Sequence, residues 1–510
     1  MKRFVFFLCS FFVLGVLYAQ ETPKKISFQA EWQLHDEDFM PGIDRFIGNV
    51  VFKHENTVGY CDSAYHFLKE NYLLAFGNPV QIFVNDSVQL FGKYLNYNGD
   101  TKISSIYRNV KLQDNTSALY CDSLIYDNNQ SVAYFLTGGR MINEENVLTS
   151  IIGRYYTQSN NVYLIDSVLL VNKKYEMNCD SLRYNTQQEV VHFISRTHLY
   201  SDENEIFTNS GHYDMRNDVA LLVDSVELIN ENQVFSGDSV YYDRNQHFGI
   251  GWNFVTIEDS TKGYIVKGRY AEYYEQGGVS FVTDSAHLIF IDKGDSLYLH
   301  ADTLKLDFDT LREPQQMYAL NKVKFYRHDF QGVCDSLVYV VEDSLLSMYY
   351  NPVLWYGSNQ LSGDTIRLNI IDSSEAILHV RENSFLVEEV YEGSDFNQIK
   401  GEYTKGFIKD KRLNQVDIAN NVECVYYVME EDSSLIGINA SITSEMRILL
   451  NDNKLKEILF YNNPDGALYP YSKLPKDKRI LKDFRWLNIY RPRRIEDIFH
   501  TPIPRVFSNE

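Results

Sequence analysis

Proline, basic charge and long apolar runs are all scarce in this sequence. Only 11 prolines are spread over 510 residues, so little interrupts a hydrogen-bonded strand ladder, which proline would break by lacking an N–H. Lys and Arg number 48 against 69 Asp and Glu, a net charge of −21. Such a field repels nucleic acid, and nucleic-acid binding is excluded; nor would it attract an anionic membrane surface. Past Leu17 no stretch approaches the roughly 20 apolar residues that a transmembrane helix needs. Chemistry-bearing motifs are missing too. There is no CxxC or His/Cys cluster at metal spacing, no G-x-S-x-G elbow, no phosphate-binding glycine loop and no dinucleotide fingerprint. No metal, no cofactor and no catalytic cluster is therefore expected. No segment shows a convincing helical period; the best candidate, residues 453–460, is short and equally readable as a strand.

What is present begins with a leader. Lys2 and Arg3 precede an apolar run from Phe4 to Leu17, and Ala19 offers a small residue for cleavage before Gln20. This is the pattern of a signal peptide over residues 1–19, and the mature chain is expected to be exported. Cys9 leaves with the leader, so Cys61, Cys121, Cys179, Cys334 and Cys424 remain. An odd number in an oxidising compartment argues against a complete disulfide framework. Aromatics are abundant, with 38 Tyr and 31 Phe, and suit a pleated, half-buried surface.

Self-similarity organises the rest. One motif is a small residue, an acidic residue, Ser or Thr, then alternating apolar positions: CDSAYHF at Cys61, CDSLIYD at Cys121, CDSLRYN at Cys179, GDSVYYD at Gly237 and CDSLVYV at Cys334. Looser copies start with glycine, as GKYLNYN at Gly92 does. A second motif often precedes the first by about thirteen residues: GNVVFKH at Gly48, RNVKLQD at Arg108, DSVLLVN at Asp166 and NNVECVY at Asn420. Each unit of roughly 30 residues thus holds short alternating segments separated by polar turns. Units that cannot bury an apolar face alone must stack into a long array.

The recurring Asp (Asp62, Asp122, Asp180, Asp238, Asp302, Asp335, Asp364) invites a catalytic or calcium-binding reading. Its repetition favours a structural one, because catalysis needs a single constellation of unlike groups, whereas Asp beside Ser or Thr satisfies turn backbone groups. Four of the cysteines occupy the small-residue position and serve as compact hydrophobes. The pairs Leu95/Tyr97, Leu124/Tyr126, Leu182/Tyr184 and Val240/Tyr242 have equal parity and share one strand face. Each fills a core; repeated along a stack they line a continuous apolar interior able to accept acyl chains, and these eight are the candidate lipid-binding positions.

The order of the two motifs resembles the organic-solvent-tolerance (OstA-like, LptA-like) repeat of lipopolysaccharide transport. One cycle runs from Gly48-Asn49-Val50 through Cys61-Asp62-Ser63 and restarts at Gly77-Asn78-Pro79-Val80. The resemblance implies an all-β fold, an elongated jellyroll of stacked antiparallel strands, as one array or two consecutive jellyrolls. It implies a periplasmic protein associated with the outer membrane, with lipopolysaccharide or lipid A held inside. Its implied partners are other β-jellyroll transport proteins, joined through edge strands, and an outer-membrane translocon. The expected organisation is a lead-in over 20–45, clear repeats over 46–310, divergent repeats over 311–461 and a basic, aromatic tail over 462–510. The tail carries nine basic residues against two acidic ones between Lys473 and Arg494; it reads either as solvated or as a docking segment for a partner or for phosphorylated lipid headgroups. A parallel β-helix that binds or cleaves envelope polysaccharide is the alternative.

Overall fold

The computed structural model describes residues 25–500 and 502, except 86, 202–203, 231, 293–294, 312, 392, 411, 431, 433 and 452–453. The signal-peptide segment lies outside the described residues. The chain divides into two compact units, one ending at Glu189 and the other starting at Val190.

In the first unit, antiparallel strands such as Ile43–His54, Thr57–Phe67, Tyr72–Val84, Val88–Asn98 and Ile103–Gln113 pair in chain order. The array begins inside the expected lead-in, because Ser27–Gln29 and Trp32–His35 pair with the two halves of Ile43–His54. Each long strand is broken near its middle by a register shift, for example between Ile47 and Val50 and between Tyr107 and Val110. The residues inside these breaks belong to the second motif, and they adopt left-handed backbone: Gly48 and Asn49, Arg108 and Asn109, Asp166 and Ser167. The Asp of the first motif sits opposite each pair, since Val110 faces Cys121 and Tyr107 faces Ser123, bracketing Asp122. Both motifs are thus the two sides of one kink, in line with the structural reading of the Asp. Asn and Asp are the non-glycine residues that tolerate this conformation best.

The kinks fold each long strand into two arms facing each other across an apolar interior. Along one, the tyrosine arm, a deep inward row runs Leu95, Ile106, Leu124, with Leu164 and Leu182 continuing it. Along the other, the aliphatic arm, the row runs Phe52, Gly59, Ile82, Leu90, Leu112, Leu119, Met141, Leu148, Leu170, Met177. Every non-glycine member of both rows is at most 2% exposed. The small-residue position lies at the kink. A Cβ on Gly92 would stand 2.3 Å from the Ile106 side chain, so that copy takes glycine, while other copies hold Cys61, Cys121 or Ala301 at the position.

The second unit repeats the kinked antiparallel pattern, with left-handed pairs at Asp224–Ser225, Asn321–Lys322 and Asn420–Asn421. Of the segment readable as helix or strand, residues 454–460 lie in the strand Lys454–Tyr461, paired to Leu435–Asn451, and residue 453 lies outside the described residues. Cys61, Cys121, Cys334 and Cys424 form no disulfide, and Cys61, Cys334 and Cys424 are buried. Burial pushes the Cys61, Cys121 and Cys424 thiols up to about 12, so they behave as hydrophobes, not nucleophiles.

After the short strand Asp465–Tyr469 the tail stops pairing with strands and crosses them. It lies on the outward face of the aliphatic arm, where Val333, Val353 and Trp355 pack with Leu487 and Tyr490, and Phe385, Val387 and Phe396 with Leu481, Phe484 and Trp486. Under it runs a cross-strand row, Gln331, Trp355, Gln360, Val387, Gln398 and Val425. The buried glutamine amides hold the tail backbone. Gln398 donates to the Arg479 carbonyl (2.8 Å) and accepts from the Leu481 N–H (2.9 Å). Six residues on, Gln360 donates to the Arg485 carbonyl (2.8 Å) and accepts from the Leu487 N–H (2.7 Å). Six further on, the Arg491 guanidinium donates to Gln331 (2.8 Å). The helix Asp497–His500 ends the strap, with Phe499 against the rings of His287 and His300.

Candidate functional site

All eight candidate positions lie on inward rows. Leu95, Leu124 and Leu182 belong to the deep row of the first unit's tyrosine arm, and Val240 to the equivalent row of the second unit. Tyr97, Tyr126, Tyr184 and Tyr242 stand two residues nearer the rim. The rim tyrosines recur every 29 residues, at 97, 126, 155, 184, 213 and 242. Between them in the first unit stand smaller side chains, Ser104, Ala133 and Val162, so that bulky and small groups alternate across the sheet.

In the first unit this rim is shut by hydrogen bonds between the arms. His54 and the Tyr97 hydroxyl share one of 2.6 Å, and Asn128 donates to the Thr57 hydroxyl at 2.9 Å. The Tyr155 hydroxyl donates to the Asp114 carboxylate, which also accepts from the N–H groups of Thr116 and Ser117. The Tyr184 hydroxyl donates to Asn143 (2.5 Å) and accepts from Asn146 (3.4 Å). The Thr116 and Thr186 hydroxyls meet at 3.3 Å. Burial, with the nearby Glu55 and Asp114 carboxylates respectively, pushes the Tyr97 and Tyr155 phenols well above their ordinary value, which keeps both protonated. Leu95, Tyr97, Leu124, Tyr126, Leu182 and Tyr184 all lie behind this lacing, each no more than 1% exposed.

The second unit keeps the same rows but opens them. Its rim row runs Tyr213, Ala220, Tyr242, Gly249, Tyr273, Ser280, Leu306, and all but Gly249 are only half-buried. Tyr213 donates to Asp218 of its own hairpin at 2.5 Å. The facing row of the aliphatic arm, Leu199, Ile206, Leu228, Phe235, Ile257, Val266 and Leu288, is half-buried throughout. Below them Val240, Val255, Ala271 and Val282 form a thin buried floor, each at most 6% exposed. The result is an apolar groove seven strands long, roughly 29 Å at about 4.8 Å per strand. Val240 and Tyr242 line it. Leu199, Phe235, Ile257 and Val266 were not singled out from the sequence, although their alternation marks one strand face. Farther along the unit Leu299, Phe325 and Leu354 of the same arm are buried again, within the section the strap covers from outside.

Asp295, His328 and Asp329 are the one group among the described residues with metal-ligand proximity, but Arg327 already pairs with Asp295 and Asp329, and the group is solvent-accessible. No described helix is long and apolar enough to cross a membrane. What the arrangement offers chemically is an apolar trough.

Residues 29–180 match the family model described as OstA-like protein. No curated protein matches the chain. Among solved structures it is similar to LptH from Pseudomonas aeruginosa, described as the LptA-homologous periplasmic component of the conserved lipopolysaccharide transport device. That similarity has 14% identity and a TM-score of 0.11, and covers 33% of this chain and 80% of that one.

Proposed function

The chain carries an OstA-like region over residues 29–180, and from that premise we propose that it is a periplasmic lipid carrier in lipopolysaccharide transport to the outer membrane. It holds acyl chains in the groove of the second unit and performs no turnover. The half-buried state of both facing rows between Leu199 and Leu306 carries this reading. Burying those side chains against a ligand gains about 25 cal/mol per Å² of apolar surface, and each buried CH₂ about 0.8 kcal/mol. An acyl chain supplies both surfaces in the linear shape the trough has. The first unit, laced at its rim, acts as a closed scaffold; its six candidate positions meet lipid only when the lacing parts. Among the described residues, Ser27–Gln29 and Asp465–Tyr469 each pair on one side only, which suits pairing with other jellyroll proteins.

The test is mass spectrometry of lipids co-purifying from a lipopolysaccharide-bearing host. Wild type is expected to retain an acylated, phosphorylated glycolipid, and Phe235→Asp/Ile257→Asp to lose it while the β-sheet spectrum persists. A lipid-free wild type, or one that depolymerises a glycan, overturns the proposal.

A further inference from the structure

The strap has two faces, and only one is used by the body. Inward go Leu474, Leu481, Phe484, Trp486, Leu487, Tyr490 and the buried Ile498, together with the backbone groups that the glutamine row holds. Arg479 and Arg491 turn inward as well. Arg479 lies 4.0 Å from the Tyr471 ring centroid and bonds to the carbonyls of Leu474 and Tyr471, while Arg491 bonds to Gln331 and the Gly357 carbonyl. The opposite face holds Lys473, Lys476, Lys478, Lys482 and Arg493, all exposed, against the exposed Asp477 and Asp483, of which Asp483 is paired with Lys400 of the sheet. Three isoleucines stand among them: Ile480 at 51%, Ile489 at 74% and Ile495 at 39% exposed.

Neither feature is expected of a merely solvated tail. The chain as a whole is strongly acidic, yet this strip gathers cations and turns them away from the body. β-branched aliphatic side chains at such exposure gain nothing from water. Cations interleaved with protruding aliphatics, on a backbone pinned flat against a rigid sheet, match the interface of an anionic bilayer. Phosphate headgroups meet the ammonium and guanidinium groups there, and short apolar side chains enter the acyl boundary.

We propose that the outward face of residues 473–495 is a docking surface for an anionic phospholipid bilayer, and that it holds the second unit flat against that membrane. The strip lies on the outward face of the aliphatic arm and leaves the groove between the arms unobstructed, so docking and groove occupancy are separable. The bilayer reading does not depend on any lipid being carried inside.

The experiment is co-sedimentation of the chain with vesicles of 7:3 phosphatidylcholine and phosphatidylglycerol, against pure phosphatidylcholine, at low and at raised salt. Binding to the anionic vesicles alone is expected, weakening as salt screens the charges. A cation near an anionic surface changes partitioning about fivefold, so Lys476→Glu/Lys478→Glu/Lys482→Glu should lose at least a hundredfold. Lys53→Glu/Lys69→Glu/Lys174→Glu makes the same change in net charge at exposed sites on the first unit and should bind nearly as wild type. Ile489→Ser should weaken binding while leaving its salt dependence in place. No binding to anionic vesicles, or equal loss in both triple variants, overturns the proposal. A failure here leaves the groove's lipid content to its own test, and the converse also holds.

Discussion

The strap's attachment can be tested at a single side chain. Gln360 is 0% exposed and makes two hydrogen bonds to the strap backbone, at 2.8 and 2.7 Å. Replacing it by Met keeps an unbranched stem and similar volume under the strap but removes both. A neutral hydrogen bond contributes about 1 kcal/mol net, and a buried group left unpaired costs about 1–3 kcal/mol. Partial relaxation of the strap offsets some of that cost, leaving about 2–3 kcal/mol against local attachment. At about 1.4 kcal/mol per factor of ten, the Leu487 amide should exchange its hydrogen roughly thirty- to a hundredfold faster by native-state hydrogen exchange. The Leu481 amide, held by Gln398 two strands away, sits about 10 Å off and should change little, since effects at that separation add independently. Unchanged protection at Leu487 would refute the reasoning, assigning the attachment to the apolar contacts of Trp355 with Leu487 and Tyr490. Equal acceleration at both amides would instead make the strap one cooperative unit.

Two further outcomes follow from the first unit. Tyr155→Phe removes the cross-rim donor to Asp114; a bond to a charged acceptor contributes about 1.5–3 kcal/mol, so the thermal midpoint should fall by several degrees, and an unchanged midpoint would show that the lacing is slack. His66 is 5% exposed, and its Nε2 is buried without a partner. Burial holds its folded pKa below 6.5, so its stabilising effect is present above that pH and is lost as pH falls through the folded value. Urea titrations should show stability declining below about pH 6.5, and His66→Phe should flatten that decline; an identical pH profile in the variant would contradict this.

Much of the architecture was legible in the residues, and the limits of that reading are physical. Period-two alternation with Leu and Tyr two positions apart placed Leu124 and Tyr126 on one face, because strand parity is local. The Asn and Asp of the second motif were visible too, but turn-type residues normally mark strand ends. Their use as left-handed pairs in mid-strand depends on the neighbouring strand accepting the break. The lacing was not legible. His54 and Tyr97 are 43 residues apart, and Asp114 and Tyr155 are 41 apart; which polar groups meet depends on how the arms close. The rim rows of the open and closed stretches are similar in composition, while the deep row changes from Leu and Ile at 95, 106, 124 and 182 to Val and Ala at 240, 271 and 282. The strap was missed for another reason. Gln331, Gln360 and Gln398 each look like ordinary solvated positions, and only their shared row makes them a binding surface. The signal that was available is the six-residue echo of Arg479-Ile480-Leu481 in Arg485-Trp486-Leu487.

That echo makes the tail a ruler. Successive glutamine anchors are two strands apart, about 9.6 Å at 4.8 Å per strand, and six residues of strap must cover each interval, about 1.6 Å per residue. Extended chain would overshoot by a factor of two, and the excess is taken up by the turns that close at Phe484 and Tyr490. Each hexad therefore counts off two strands, and the number of hexads fixes how far along the sheet the strap reaches. Deleting one hexad would shift the terminal helix back by one hairpin and leave His287 and His300 uncovered. Inserting one would carry it two strands farther along the outward face behind the groove. The length of the covered stretch, and with it the place where the groove begins, is written in the arithmetic of a single short segment.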